Sequence, residues 1–144
     1  MRPLRLGLVA YPGLGGSGIV ATELAHRLAR MGHQVYLFAT ERPFRLPKDS
    51  PVAFIPVDLP FYPVAASYLG LGEGFPLVHT LHGTDVSVLG MDPAFHGPTR
   101  RALQAAQATT AVSLALEKDA EREFGVKPTV IHNAVDPERF YPRP

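Results

Sequence analysis

Cysteine is absent from the 144 residues. Disulfide frameworks, thiolate metal sites and cysteine nucleophiles are therefore excluded, and an intracellular, cytoplasmic setting is the expected one. An excess of either charge is missing too: 14 Lys and Arg stand against 13 Asp and Glu, a formal net charge of +1. A dedicated nucleic-acid binder carries a basic excess on one face, so no nucleic-acid partner is expected. No apolar run approaches the ~20 residues of a membrane-spanning helix. The first ten residues lead directly into a strand-like pattern, without the long apolar stretch and cleavage site of a signal peptide. What the chain does have is 46% hydrophobic and 19% charged residues, at a length that can bury one sizeable core.

The order of apolar patterns predicts alternating strands and helices. Residues 4–10 (LRLGLVA) read as a buried strand, central in its sheet and ended by Tyr11-Pro12-Gly13. A glycine-rich turn follows. Then Val20, Leu24 and Leu28 recur at helical spacing, with Ile19, Ala21 and Ala25 widening the stripe; Ser17 is the expected N-cap and Gly32 the stop. Residues 34–39 (QVYLFA) form the second strand, so the start of the chain is a β–glycine loop–α–β unit with a parallel pair. Residues 52–57 predict a third strand whose Pro56 belongs near an edge. Residues 64–69 carry a short helical signal. Residues 77–81 (LVHTL) predict a strand, 98–107 a helix with its proline near the first turn, and 109–112 a strand. Ser113 caps a helix that Gly125 ends, and 129–131 form a last strand. The fold class is α/β, a Rossmann-like doubly wound parallel sheet. Residues 1–132 are expected to make up the domain, with 133–144 the start of a linker.

Ligands of open α/β sheets bind beyond the C-terminal ends of the strands. Three segments follow strands there. The first is the glycine loop, with four Gly between Gly13 and Gly18. Glycines admit a ligand close to the backbone, and the helix N-terminus behind them favours a phosphate or carboxylate. Gly13-x-Gly15-x-x-Gly18 also satisfies the dinucleotide fingerprint, with Glu41 as a candidate ribose acid. Against that reading, Pro12 and Gly13 move the turn away from the strand end, and Glu41 lies beyond the usual ~20 residues. The second segment is Thr80-Leu81-His82-Gly83-Thr84-Asp85. Thr80 and His82 share a strand face and can hydrogen-bond a ligand. His79 points to the opposite face, so no metal site is expected from the two histidines. The third is Asn133-Ala134-Val135-Asp136, whose Asn and Asp also suit Asx turns. Arg100 and Arg101 lie on the same predicted helix, and the sequence alone does not choose between them. His96 is expected in a loop, and His26 and His33 at the surface.

These segments come in a recognisable order: Tyr11-Pro12, Gly15-Gly16-Ser17-Gly18, Ala21-Thr22-Glu23-Leu24, Pro43-Phe44-Arg45-Leu46, then the Thr80 to Asp85 run. After it come Val88-Leu89-Gly90 with Asp92-Pro93, Arg100, Ala111-Val112-Ser113, and Asn133-x-Val135-Asp136 with Arg139-Phe140. Taken together they resemble the N-terminal domain of the retaining GT-B glycosyltransferases of family 4, and in particular the members that act in bacillithiol biosynthesis. The resemblance implies transfer of N-acetylglucosamine from UDP-GlcNAc to the hydroxyl of L-malate, without a metal or other cofactor, in a protein that can be a homodimer. It implies that the N-terminal half holds the acceptor, while a second domain with an acidic pair handles the donor. By position, Gly15, Gly16 and Ser17 would offer amides to a carboxylate or diphosphate. Thr80 and His82 would bind hydroxyls, Arg100 a malate carboxylate, and Asn133 would line the cleft. Retention on the front face, with a leaving phosphate oxygen taking the acceptor proton, needs no protein base. The family also carries a longer stretch before the Thr80 segment, which implies that residues are missing between about 61 and 72. Two other readings stand beside this one: an NAD(P)-binding half of an oxidoreductase, and a non-catalytic anion- or sugar-binding module.

Overall fold

The computed structural model describes residues 2–11, 13, 15–57, 74, 76–137 and 140–141. Their elements run β1 (Arg5–Val9), α1 (Gly16–Arg30), β2 (Gln34–Ala39), β3 (Ala53–Pro56), β4 (Val78–Leu81), α2 (Thr84–Ser87), α3 (Pro93–Ala105), β5 (Ala108–Ala111), α4 (Leu114–Phe124) and β6 (Thr129–Val130). Every strand pair is parallel. The chain divides into two compact units, Met1–Phe75 and Pro76–Pro144. The first holds a sheet of order β1-β2-β3 and the second a sheet of order β4-β5-β6. The Rossmann-like α/β class expected from the sequence is present, but the described strands form two hydrogen-bonded sheets rather than one. The expected helix at 64–69 and the proposed loss of residues between 61 and 72 lie outside the described residues.

Among the described strands of the first unit, β2 lies between β1 and β3. The sequence predicts a buried β1, but its residues alternate in exposure. Leu6 and Leu8 pack on the core, while Arg5, Gly7 and Val9 are exposed. The period of two was present in the order Arg-Leu-Gly-Leu-Val, and a strand obeys it. β3 is the last described strand of this sheet, and Pro56 stands in register with Ala39 at its end.

The expected stripe on α1 is met in part: Ala25 is buried, and Ala21 and Leu28 pack against the core. Leu24 is 49% exposed, and Gly18, Thr22, Ala25 and Ala29 are buried. Small side chains allow the helix to lie close to the sheet, where a row of leucines would hold it off. The Thr22 hydroxyl donates to the Gly18 carbonyl at 2.7 Å, which satisfies it inside the core. The helix ends in a left-handed glycine: Gly32 has φ 92°, its amide bonds Ala29 O at 3.0 Å, and the His33 amide bonds Leu28 O at 3.1 Å. His33 is buried, contrary to expectation, because its Nδ1 accepts the Leu4 amide at 3.2 Å. His26 is half-buried and bonds Ser50 Oγ at 2.8 Å.

In the second unit α3 begins five residues before its expected start. Asp92 is its N-cap and accepts from the Ala94 amide at 2.8 Å, with Pro93 at the first helical position. Pro98 therefore lies inside the helix. The residue before it is Gly97, with no Cβ to meet the proline ring. His96 is consequently helical rather than in a loop, and its ring lies 5.2 Å from that of Phe124. α4 follows the sequence reading: Ser113 Oγ accepts from Leu116 N at 3.2 Å, and Gly125 closes the helix at φ 66°. Leu81, Val86, Leu103, Ala111, Leu116, Ala120 and Phe124 form this unit's core. Among the described residues no helix is long and apolar enough to cross a membrane.

Candidate functional site

Within the first unit, the candidate site is the entrance to α1. The helix starts at Gly16 with Gly15 as its N-cap, and no side chain caps it. Ser17 is therefore in the first turn rather than the expected N-cap. The helix has started two residues earlier than a serine cap would require, and Gly15 at φ −68° and ψ 155° supplies the extended cap backbone. The first turn holds no acidic residue, so the positive end of the helix dipole is not offset locally. The glycines here have separate reasons. A Cβ on Gly18 would come within 2.2 Å of the Tyr11 carbonyl oxygen, so this glycine is required by the close pass of the chain. A Cβ on Gly15 or Gly16 would meet nothing within 4 Å. Their own packing does not call for glycine, and its effect is to keep the approach to the first-turn amides clear. Gly15, Gly16 and Ser17 are all exposed.

One neighbour of this entrance was not singled out as a site residue from sequence. The loop after β2 brings Pro43, Phe44 and Arg45 beside Gly13, Gly18, Ile19 and Thr22, where they line one groove. Pro43 and Leu46 are buried and anchor the loop. The Arg45 guanidinium lies 5.7 Å from the Phe44 ring centroid. The Pro43-Phe44-Arg45-Leu46 run was visible in the sequence, but only the fold places it beside the glycines.

Within the second unit, the C-terminal ends of β4, β5 and β6 align through the pairs Leu81 with Ala111 and Ala111 with Val130. Residues that follow these strands share one sheet edge. The Val112 amide bonds Leu81 O at 3.3 Å, the Ile131 amide bonds Ala111 O at 2.9 Å, and His132 Nδ1 lies 3.0 Å from Val112 O. Thr80 is exposed near this edge, and its hydroxyl is 3.0 Å from that of Thr110 on the neighbouring strand. Each hydroxyl keeps capacity for another partner, since each can donate one bond and accept two. His82, half-buried, is the first residue after β4.

The turn after His82 is built by Asp85. Its carboxylate accepts the Gly83 amide at 2.9 Å and the His82 amide at 3.0 and 3.2 Å. Gly83 has φ 137°, a conformation that residues with a Cβ rarely adopt. His79 is buried on the opposite face of β4. Burial pushes its imidazole below the ordinary histidine range, and the nearby Asp85 charge acts the other way.

Arg100 lies exposed on α3 and makes no ion pair or hydrogen bond among the described residues. Asn133 is exposed after β6 and makes no bond among them either. Thr80, His82, Arg100 and Asn133 belong to the second unit, and Gly15, Gly16 and Ser17 to the first. No group of three or more His, Asp or Glu that could hold a metal occurs among the described residues. The two corners thus differ in chemistry. One offers main-chain amides at a helix start, suited to an anion. The other offers hydroxyls and an imidazole, suited to hydroxyl-bearing ligands.

Both units are built from parallel strands followed by helices, as in a Rossmann-like α/β domain. Residues 57–139, more than half of the chain, match Glycosyltransferase Family 4, and the chain belongs to that family. It is also similar to N-acetyl-alpha-D-glucosaminyl L-malate synthase of Bacillus anthracis, with 31% identity over 181 aligned positions covering 96% of this chain and 47% of that protein. The chain therefore spans about half the length of the curated relative it matches. The aligned span is longer than the 144 residues of this chain, so the relative carries residues within it that this chain lacks.

Proposed function

We propose that this chain is the acceptor-binding half of a retaining glycosyltransferase that moves N-acetylglucosamine from UDP-GlcNAc to L-malate. The observation that carries this reading is the similarity along 96% of the chain to a relative whose name states that product. The chemistry of the two corners supports it. Malate has two carboxylates and one hydroxyl. The amides of Gly15, Gly16 and Ser17 suit a carboxylate or a diphosphate. The Arg100 guanidinium suits a carboxylate through its planar fork. Thr80, His82 and Asn133 suit hydroxyl and amide groups of the acceptor or sugar. Proton transfer from the malate hydroxyl to the departing diphosphate requires no base from this chain. The reading includes no metal, a cytoplasmic setting and a homodimer.

The test is an assay of the complete gene product with UDP-GlcNAc and L-malate. The expected result is release of UDP together with a product of the mass of N-acetylglucosaminyl malate, its anomeric coupling matching that of the donor. EDTA should leave the rate unchanged. Residues 1–144 alone should not transfer sugar, because the reading assigns the donor to another domain. Transfer to a different acceptor in preference to malate would overturn the assignment of malate. Tight binding of a nicotinamide dinucleotide in place of UDP-GlcNAc would overturn the transferase reading altogether.

A further inference from the structure

The turn after β4 raises a question that ligand contacts alone do not answer: what fixes the direction in which His82 leaves the strand. An imidazole at the end of a strand, followed by glycine, is poorly constrained by its own backbone, since glycine has the largest conformational freedom of any residue. The α2 helix that follows has only four residues and holds the turn weakly, because so short a helix is marginal by itself. Gly83 nevertheless sits at φ 137°. Something must hold it there.

Asp85 has the geometry to do so. Its side chain turns back toward the strand instead of capping α2 forward. One carboxylate meets two successive main-chain amides, Gly83 N at 2.9 Å and His82 N at 3.0 and 3.2 Å. Hydrogen bonds to an ionised acceptor are roughly twice as strong as neutral ones. The two amides bracket the φ and ψ of His82 and the peptide that enters Gly83. Fixing them fixes the Cα–Cβ direction of His82. The carboxylate is half-buried, so water competes for it less than at an open surface. Gly90 encloses the turn from outside: a Cβ there would come within 2.6 Å of both Asp85 O and Phe124 Cζ, so the main chain of Asp85 is packed against the core of the unit.

We propose that Asp85 is the positioning residue for His82, setting the imidazole through the His82 and Gly83 amides without itself touching substrate. The proposal rests on the reading of His82 as a substrate contact. It also gives the turn a specificity: both amides that could otherwise bind an anion are filled by a carboxylate, so this corner takes a neutral hydroxyl-bearing group.

The experiment is a double-mutant cycle on the complete gene product, read as kcat/KM for transfer, with amide hydrogen exchange at residues 82 and 83 as a local measure. Asp85→Ala should speed exchange at both amides at least tenfold and lower kcat/KM by roughly tenfold to a hundredfold, the scale of loss expected from about 1 Å of misplacement. Asp85→Asn keeps one carbonyl acceptor and should lose less on both measures, which also covers the case in which the alanine variant folds poorly. Added to His82→Ala, the Asp85 change should cost almost nothing further, because there is no ring left to position. Ser87→Ala removes the 3.0 Å bond from Ser87 Oγ to Gly83 O in the same turn and should leave activity unchanged. Unchanged exchange in Asp85→Ala, or losses for Asp85 and His82 that simply add, would overturn the positioning role. If His82→Ala alone leaves kcat/KM intact, it is the reading of His82 that fails, and the positioning role falls with it.

Discussion

After β1 the chain enters α1 through glycines that no side chain caps. After β4 it enters α2 through a turn whose two amides are both held by Asp85. The corners share a parallel strand and a following helix, and both use glycine. In the first, glycine at 15 and 16 leaves space outside the backbone, whereas Gly18 is required by packing inside it. In the second, Gly83 is required by its own dihedral angle. One fold element can therefore present donors to a ligand or spend them internally. The difference lies in whether an acidic residue follows within three positions. Asp85 stands three residues after His82, and the first turn of α1 has no acid.

The largest effect that would break this comparison is expected at Gly18. Gly18→Ala drives a Cβ against the Tyr11 carbonyl, and the resulting overpacking should cost about 3 kcal/mol in a denaturant titration. Gly16→Ala should leave the midpoint close to that of the parent, since its Cβ meets nothing, yet raise the KM for an anionic substrate. If both variants lose stability alike, the separation into a packing glycine and an access glycine is wrong.

Next in size is Arg100→Ala. In the complete gene product it should raise the KM for malate by roughly tenfold, the loss of one charge-assisted pair, and leave that for UDP-GlcNAc nearly unchanged. Equal losses for the two substrates, or none, would remove Arg100 from acceptor binding and leave the α1 entrance as the anion contact.

A smaller, pH-dependent effect is expected from His79. Burial holds its folded-state pKa below the ordinary value of 6.5. The unfolded chain therefore takes up the proton first as the pH falls. The stability linked to the neutral ring is complete above 6.5 and is lost as the pH drops from there toward the lower folded value. Urea midpoints measured on either side of that window should decline on the acid side, and His79→Gln should flatten the decline. Superimposable profiles would show that His79 does not carry it. The smallest effect belongs to Thr99, whose hydroxyl is buried on α3 without a partner among the described residues. Thr99→Val should raise stability by up to about 1 kcal/mol by removing an unsatisfied group.

Strand positions were legible because short apolar runs bounded by Gly and Pro have few alternatives, and residues 34–39 are the whole of β2. The helix faces were less so. Periodicity marked Val20, Leu24 and Leu28 as a stripe widened by Ile19, Ala21 and Ala25. Ala25, Ala21 and Leu28 do meet the core, but Leu24 faces out while Thr22 and Ala29 face in, because the buried side depends on how closely the sheet approaches. Asp92-Pro93 was a helix-start signal as strong as any in the chain, and Pro98 obscured it. For the site, the glycines, Thr80 and His82 were legible as types in order. The Asp85 bonds and the approach of Pro43, Phe44 and Arg45 to the glycine loop depend on tertiary placement that no spacing rule supplies.

The buried ring of His33 has a use as a reporter. The β1–β2 ladder begins with the Gln34 amide bonded to Leu4 O at 2.9 Å, and the Leu4 amide in turn finds an imidazole nitrogen where a strand would supply a carbonyl. An acceptor nitrogen carries no hydrogen, so the neutral ring is confined to the tautomer protonated at Nε2. The nitrogen chemical shifts of that single side chain then tell whether the first rung of the sheet is closed. They offer a spectroscopic gauge of strand register at the amino end of the molecule, independent of any ligand or assay.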